Sequence, residues 1–174
     1  MRKTALTIMT AIICVIATPT FATPNTVIEQ NISDAQIMGE ARYQFLFMDI
    51  YDATLFAPKS GWSFEKPFAL KLEYLRNLSG ERIADRSAKE IRQLGFSNEV
   101  KLADWHEQMI NIFPDVKKGA SLTGVYKPNA ETVFYSQNKA IGTIKDPEFG
   151  KWFFGIWLSE QTSDNEFRKA LLGQ

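Results

Sequence analysis

Arg42 stands at the head of the run Arg42-Tyr-Gln-Phe-Leu-Phe47, and its side chain is the one in this chain best suited to hold an anionic or keto oxygen. A guanidinium stays ionised at any physiological pH, and its planar donor fork matches a carboxylate or an enolate. Tyr43, Phe45 and Phe47 surround it with groups that exclude water, and each charged hydrogen bond gains strength there. The competing reading is an ordinary one, in which Arg42 caps a sheet edge or pairs with Asp49 or Asp52. Arg76 is a second cation of this kind. It ends the apolar face of an alternating segment and can either hold the same ligand as Arg42 or pair with Glu73 or Glu81.

Other chemistry finds little support. His106 is the single histidine, sits among acidic residues on a helical stretch and reads as solvated, with no Cys or second His to complete a metal site or a base-nucleophile pair. Asp49 and Asp52 alternate across a strand, so they do not form a paired-carboxylate acid/base site. The glycines at 119–124 and 150–155 lack the spacing and the Lys-Ser/Thr ending of a phosphate loop. No catalytic residue, metal site or cofactor is expected.

The elements that would carry these residues follow from periodicity. Phe45 to Phe56 is rich in aromatic and β-branched residues and reads as a strand covered on both faces, ended by Ala57–Gly61 with Pro58. Phe68 to Arg76 alternates, with Phe68, Leu70, Leu72, Tyr74 and Arg76 on one face. From Ser79, a plausible N-cap, Ile83, Ser87, Ile91 and Leu94 mark a helical stripe that stops at Gly95. A second helix runs from about Ser97 to Pro114. Three short strands follow, Leu122–Tyr126, Thr132–Tyr135 and Ala140–Ile144, and then two helices, Pro147–Leu158 and Ser163–Leu172. This order predicts an α+β fold in which helices gather on one face of an antiparallel sheet.

The amino terminus reads as an export signal. Met1-Arg-Lys-Thr precedes an apolar run, Ala5–Ala17, and Thr20-Phe-Ala22 offers small residues around a cleavage point. The run is too short to span a bilayer, and Pro19 and Pro24 break it. Removal of residues 1–22 leaves a periplasmic chain of 152 residues with no cysteine, because the single Cys14 lies in the removed part. The remaining 18 basic and 20 acidic residues give no field for nucleic acid or for an anionic membrane, and no stable membrane insertion is expected after cleavage. With no repeat or linker in sight, residues 23–174 are expected to form one domain.

Three segments together resemble the chalcone isomerase superfamily: Gly39-Glu-Ala-Arg42, Ile50-Tyr-Asp-Ala-Thr-Leu-Phe56, and Leu75-Arg-Asn-Leu-Ser-Gly80. Asn138-Lys-Ala140, followed by a helix, and Phe167-Arg-Lys-Ala-Leu-Leu172 extend the resemblance to the carboxyl terminus. It implies an open-faced β-sandwich in which Arg42 follows a glycine-containing turn and the helix after Ser79-Gly80 covers a ligand cleft. It also implies that Arg42 and Tyr51 hold a ligand carboxylate, as in the superfamily's fatty-acid-binding members, although the spacing between them is three residues shorter than in the plant proteins. Phe153, Ile156 and Trp157 would then line the cleft. Plant chalcone isomerases carry a Tyr on the covering helix with Lys and Asn further along, where this chain has Ile83, Arg86 and Glu90, and their substrate-setting Thr falls near Ile156.

The leading expectation is therefore an exported, non-catalytic binder of a small hydrophobic ligand with an anionic or keto head, a fatty acid or an aromatic acid. Its expected contacts are Arg42, Tyr51, Arg76, Ile83, Phe153, Ile156 and Trp157. Two alternatives stand beside it. One is an intramolecular lyase or isomerase with Arg42 stabilising an oxyanion, a reaction for which Ile83 supplies neither hydroxyl nor ordered water. The other is an interaction module with a filled core, in which Trp152–Leu158 is simply a core helix and no cavity remains beneath it.

Overall fold

The computed structural model describes residues 27–174; the expected export signal at residues 1–22 lies outside them. The elements in chain order are α1 (Val27–Asn31), β1 (Ala35–Phe45), β2 (Met48–Pro58), β3 (Phe68–Tyr74), α2 (Gly80–Gln93), α3 (Glu99–Ile112), β4 (Ser121–Tyr126), β5 (Thr132–Ser136), β6 (Lys139–Ile144), α4 (Phe149–Leu158) and α5 (Asn165–Leu171). The six strands form one antiparallel sheet in sequence order, β1-β2-β3-β4-β5-β6. Helices α2 to α5 cover one face, joined to the sheet by a core that includes Leu55, Phe68, Leu70, Ile91, Trp105, Phe154 and Leu171. The architecture is the expected α+β sheet with helices on one face. The small α1 is an addition to it: Val27 and Ile32 pack on Ala69 and Val125, on the other side of the sheet.

Local signals explain where the covering helices begin. The Ser79 hydroxyl accepts the Arg82 N–H at 3.3 Å, which satisfies one of the free donors of the first turn of α2. The Gly80 N–H donates to the Asp115 carboxylate at 3.0 Å. Asn98 caps α3 in the same way, accepting from Lys101 N–H at 3.0 Å. Gly80 is needed for a close approach, since a Cβ there would run into the backbone carbonyl of Phe113.

Two expectations about the first strands are corrected. Gly39 lies within β1 and not in a turn; it sits at a bulge, where α5 crosses so closely that a Cβ would meet the backbone of Ala170 and Leu171. Phe45 to Phe56 is not one strand covered on both faces. It contains a hairpin turn at Leu46-Phe47, with Phe45 paired to Met48, and β2 continues through Pro58. Both turn residues have positive φ, 48° and 63°, the conformation of a two-residue hairpin that usually takes Asn-Gly. A left-handed backbone at such side chains costs on the order of 1–2 kcal/mol per residue, which periodicity alone gives no reason to expect.

Candidate functional site

A cavity of about 410 Å³ lies between the sheet and the helices α2, α4 and α5. Its sheet wall begins with a row of tyrosines set by register, Tyr43 opposite Tyr51 and Tyr51 opposite Tyr74. The rings of Tyr43 and Tyr51 stack at 5.1 Å, and Tyr74 meets Tyr51 edge-on at 6.0 Å. Leu70 and Leu72 continue this wall, Ile83 faces it from α2, and Phe153, Ile156 and Trp157 close it from α4. The most exposed members of the wall are Phe45, Arg82, Arg86, Ser163 and Asp164. The opening therefore lies between the β1–β2 hairpin, the first half of α2 and the loop before α5.

Polar groups cluster at that opening. The Arg86 guanidinium pairs with the Glu90 carboxylate at 2.6 Å and approaches the Tyr43 hydroxyl at 3.5 Å. Ser163 donates to the other oxygen of Glu90 at 3.5 Å. Deeper in, the Trp157 indole N–H donates to the Tyr51 hydroxyl at 2.9 Å. Burial raises the pKa of the Tyr51 phenol well above its ordinary value, and burial followed by the nearby Tyr51 does the same for Tyr74. Both phenols stay protonated at neutral pH, so they serve as neutral hydrogen-bonding groups and not as bases.

Tyr51, Ile83, Phe153, Ile156 and Trp157 thus meet around one space. Arg42 and Arg76 do not join them, and this corrects the expected head-group anchor. Arg42 is paired in register with Asp52, next to the Tyr43–Tyr51 pair, so the alternation of side chains turns it to the opposite face of the sheet from Tyr51. There its guanidinium is held by Asp52 at 2.7 and 2.9 Å and by Asp49 at 3.2 Å, about half exposed. The charged hydrogen bonds to Asp52 raise its pKa further and lower that of Asp52. Arg76 lies beyond the end of β3, where its Nη1 contacts the Met48 sulfur at 2.9 Å, and neither Glu73 nor Glu81 pairs with it.

Among the residues that sequence reasoning left out of the site are Tyr43, Tyr74, Arg82, Arg86 and Glu90. A signal for Glu90 existed: it lies seven residues after Ile83, on the same helical stripe, and is a carboxylate among apolar positions. His106, read as solvated, pairs with Asp85 at 2.7 Å, away from the cavity. Among the described residues no cluster of His, Cys, Asp and Glu is fit to hold a metal, and no helix is long and apolar enough to cross a membrane.

The fold has a counterpart in a crystal structure of a fatty-acid binding protein from Arabidopsis thaliana, AtFAP1. The TM-score is 0.62 at 11% identity, over 81% of this chain and 88% of that one. No curated protein matches the chain in sequence. A family model described as chalcone isomerase-like matches residues 25–173, nearly the whole of the chain. The chain belongs to the chalcone isomerase-like family.

Proposed function

We propose that this protein binds a small hydrophobic ligand with an anionic or keto head, a fatty acid or an aromatic acid, and does so without turning it over. The observation that carries the reading is the cavity itself, apolar along Leu70, Leu72, Ile83, Phe153 and Ile156, with the buried Tyr51, Tyr74 and Trp157 as neutral polar groups within it and the cations Arg86 and Arg82 at its opening. Its volume falls within the range of small-molecule sites, about 300–1,000 Å³. The same space argues against a filled-core interaction module. The ligand's chain lies along the apolar wall, and its head meets the Arg86 guanidinium, which keeps donors to spare beyond Glu90. Arg86 takes over the role that the sequence suggested for Arg42. The fatty-acid binding of the Arabidopsis neighbour is in keeping with this reading.

Turnover of the chalcone isomerase kind is disfavoured by the wall. Ile83 presents a hydrocarbon to the cavity, and the buried phenols are held protonated. Residues 1–22 are proposed to direct export to the periplasm and to be removed there, which amino-terminal sequencing of the exported protein tests.

The binding function is tested by native mass spectrometry of the protein purified without detergent, followed by titration with a fluorescent fatty acid. A bound mass, or micromolar binding that weakens in Arg86→Ala, is expected. An empty protein that also takes up no fatty acid at micromolar concentration overturns the reading.

A further inference from the structure

The β1–β2 hairpin ends in four consecutive large apolar residues, Phe45-Leu46-Phe47-Met48, all of them exposed, with Leu46 at 70% and Phe47 bare to solvent. Elsewhere among the described residues, exposed large hydrophobics occur singly, at Ile37, Val100 and Ile110. Leu46 and Phe47, in a backbone conformation that suits glycine, join neither the core nor the cavity wall, and their apolar surface points to something outside the folded chain.

The sheet order says what else lies beside this tip. In an unbroken antiparallel meander the connections alternate between the two ends, so the β1–β2 turn shares its end with the exit of β3, the entry to β4 and the β5–β6 turn. Those segments carry Arg76, Lys117, Lys118 and Lys139, and none of the four forms an ion pair with a described residue. The acids of this end are mostly engaged: Asp49 and Asp52 with Arg42, Glu73 with Lys71, and Asp115 with the Gly80 N–H, leaving Glu81 at the start of α2. Hydrogen bonding does not discharge these acids, so six cations (Arg42, Lys71, Arg76, Lys117, Lys118, Lys139) face five carboxylates (Asp49, Asp52, Glu73, Asp115, Glu81) at this end. The free cations Arg76, Lys117 and Lys118 lie on the segments next to the apolar tip.

We propose that this end of the sheet docks on an anionic lipid surface, with Leu46 and Phe47 entering the boundary of the acyl layer and Arg76, Lys117 and Lys118 meeting lipid phosphates. A yielding lipid layer can enclose a convex turn on every side, and Arg76, whose Nη1 reaches the Met48 sulfur at 2.9 Å, stands at the base of the tip. Phe45 belongs both to the tip and to the cavity wall, and Ile50 and Arg82 line the cavity beside it. Docking therefore sets the opening of the cavity at the membrane surface, where an apolar ligand can enter without crossing water. That passage rests on the binding function proposed above; the docking does not.

The test uses the protein after removal of residues 1–22, whose apolar run would itself bind lipid and which carry the single Cys14, with one new cysteine, Phe47→Cys, bearing an environment-sensitive fluorophore. Vesicles of phosphatidylcholine and phosphatidylglycerol should shift its emission to the blue, and the same fluorophore at Lys127→Cys, on the β4–β5 turn at the opposite end, should not respond. In vesicle sedimentation, Leu46→Ser combined with Phe47→Ser should lower partitioning by about a hundredfold or more, the effect of removing two apolar side chains from the acyl boundary. Lys117→Glu with Lys118→Glu should lower it by at least about tenfold, and vesicles of phosphatidylcholine alone should bind less.

A silent fluorophore at position 47, an equal response at 127, or partitioning indifferent to both pairs of substitutions overturns the proposal. So does a shift that needs no vesicles and tracks dimerisation, since a second copy of the chain would then cover the tip. Leu46 and Phe47 do not line the cavity, so the serine pair should keep fatty-acid affinity within about twofold of the parent protein. Vesicle binding without fatty-acid binding would remove the cavity function and leave docking standing, whereas fatty-acid binding without vesicle binding would remove docking alone.

Discussion

Arg86 and Glu90 pair at 2.6 Å across one turn of α2, with the guanidinium side chain half exposed and the carboxylate side chain only 10% exposed. The pair is asymmetric: one partner keeps its water while the other has given up nearly all of it for Arg86 and Ser163.

This asymmetry predicts different results from the two ends of the pair. Arg86→Ala leaves a buried carboxylate without its cation and should destabilise the fold by about 1–2 kcal/mol, the low end for a lost charged partner because solvent still screens the site. Glu90→Gln keeps the shape and releases the guanidinium, so it should raise affinity for an anionic head. Urea unfolding measures the first effect and titration with a fluorescent fatty acid the second. Equal affinity in Glu90→Gln and the parent protein would remove Arg86 as the anchor.

The placement of Arg42 outside the cavity gives a second prediction. Arg42→Ala should leave ligand affinity unchanged, while Ile83→Trp, which projects an indole into the cavity, should lower it by about tenfold or more with the fold retained. Displacement of a bound fluorophore, with circular dichroism as the control for folding, separates these outcomes.

Alkaline pH should unfold the protein through its buried tyrosines. The phenols of Tyr51 and Tyr74 have folded pKa values raised above an unfolded value of 10.0, so their stabilising effect is complete below pH 10 and is lost as pH rises towards the folded values. Within that window each phenol should cost the fold about 1.4 kcal/mol per pH unit. Urea midpoints measured above pH 10 should fall less steeply in Tyr74→Phe. Phenolate absorbance should show the two groups appearing only as the chain unfolds.

The bond between Trp157 and Tyr51 ties α4 to the sheet at 2.9 Å across 106 residues of sequence. Tyr51→Phe strands a part-buried indole N–H and should cost about 1–3 kcal/mol. Trp157→Phe combined with Tyr51→Phe should lose less than the sum of the two single substitutions. Strict additivity in the double-mutant cycle would show that the bond does not couple the elements.

Much of this arrangement could be read from the chain. Alternation from Phe68 to Tyr74 identified the face that lines the cavity, and the stripe from Ile83 to Ile91 identified the covering side of α2. Ser79 marked the helix start because its cap is a local hydrogen bond between residues three apart. The site was harder. Arg42 looked buried because its sequence neighbours are aromatic, yet in a strand adjacent residues face opposite ways, and only the register of β1 against β2 says which way. The run Phe45–Met48 looked like core for the same reason, since composition cannot distinguish an apolar strand from an apolar turn.

By itself the sequence determined the period of each segment, the stops between them and so the α+β order, because these depend on contacts within a few residues. Tertiary structure alone decided which cation faces the cavity, that Arg86 and not Arg42 stands at its opening, and that Arg76 from the connection after β3 lies against the apolar tip between β1 and β2. Those outcomes depend on register and on the alternation of sheet ends, which bring together residues as far apart as Met48 and Arg76.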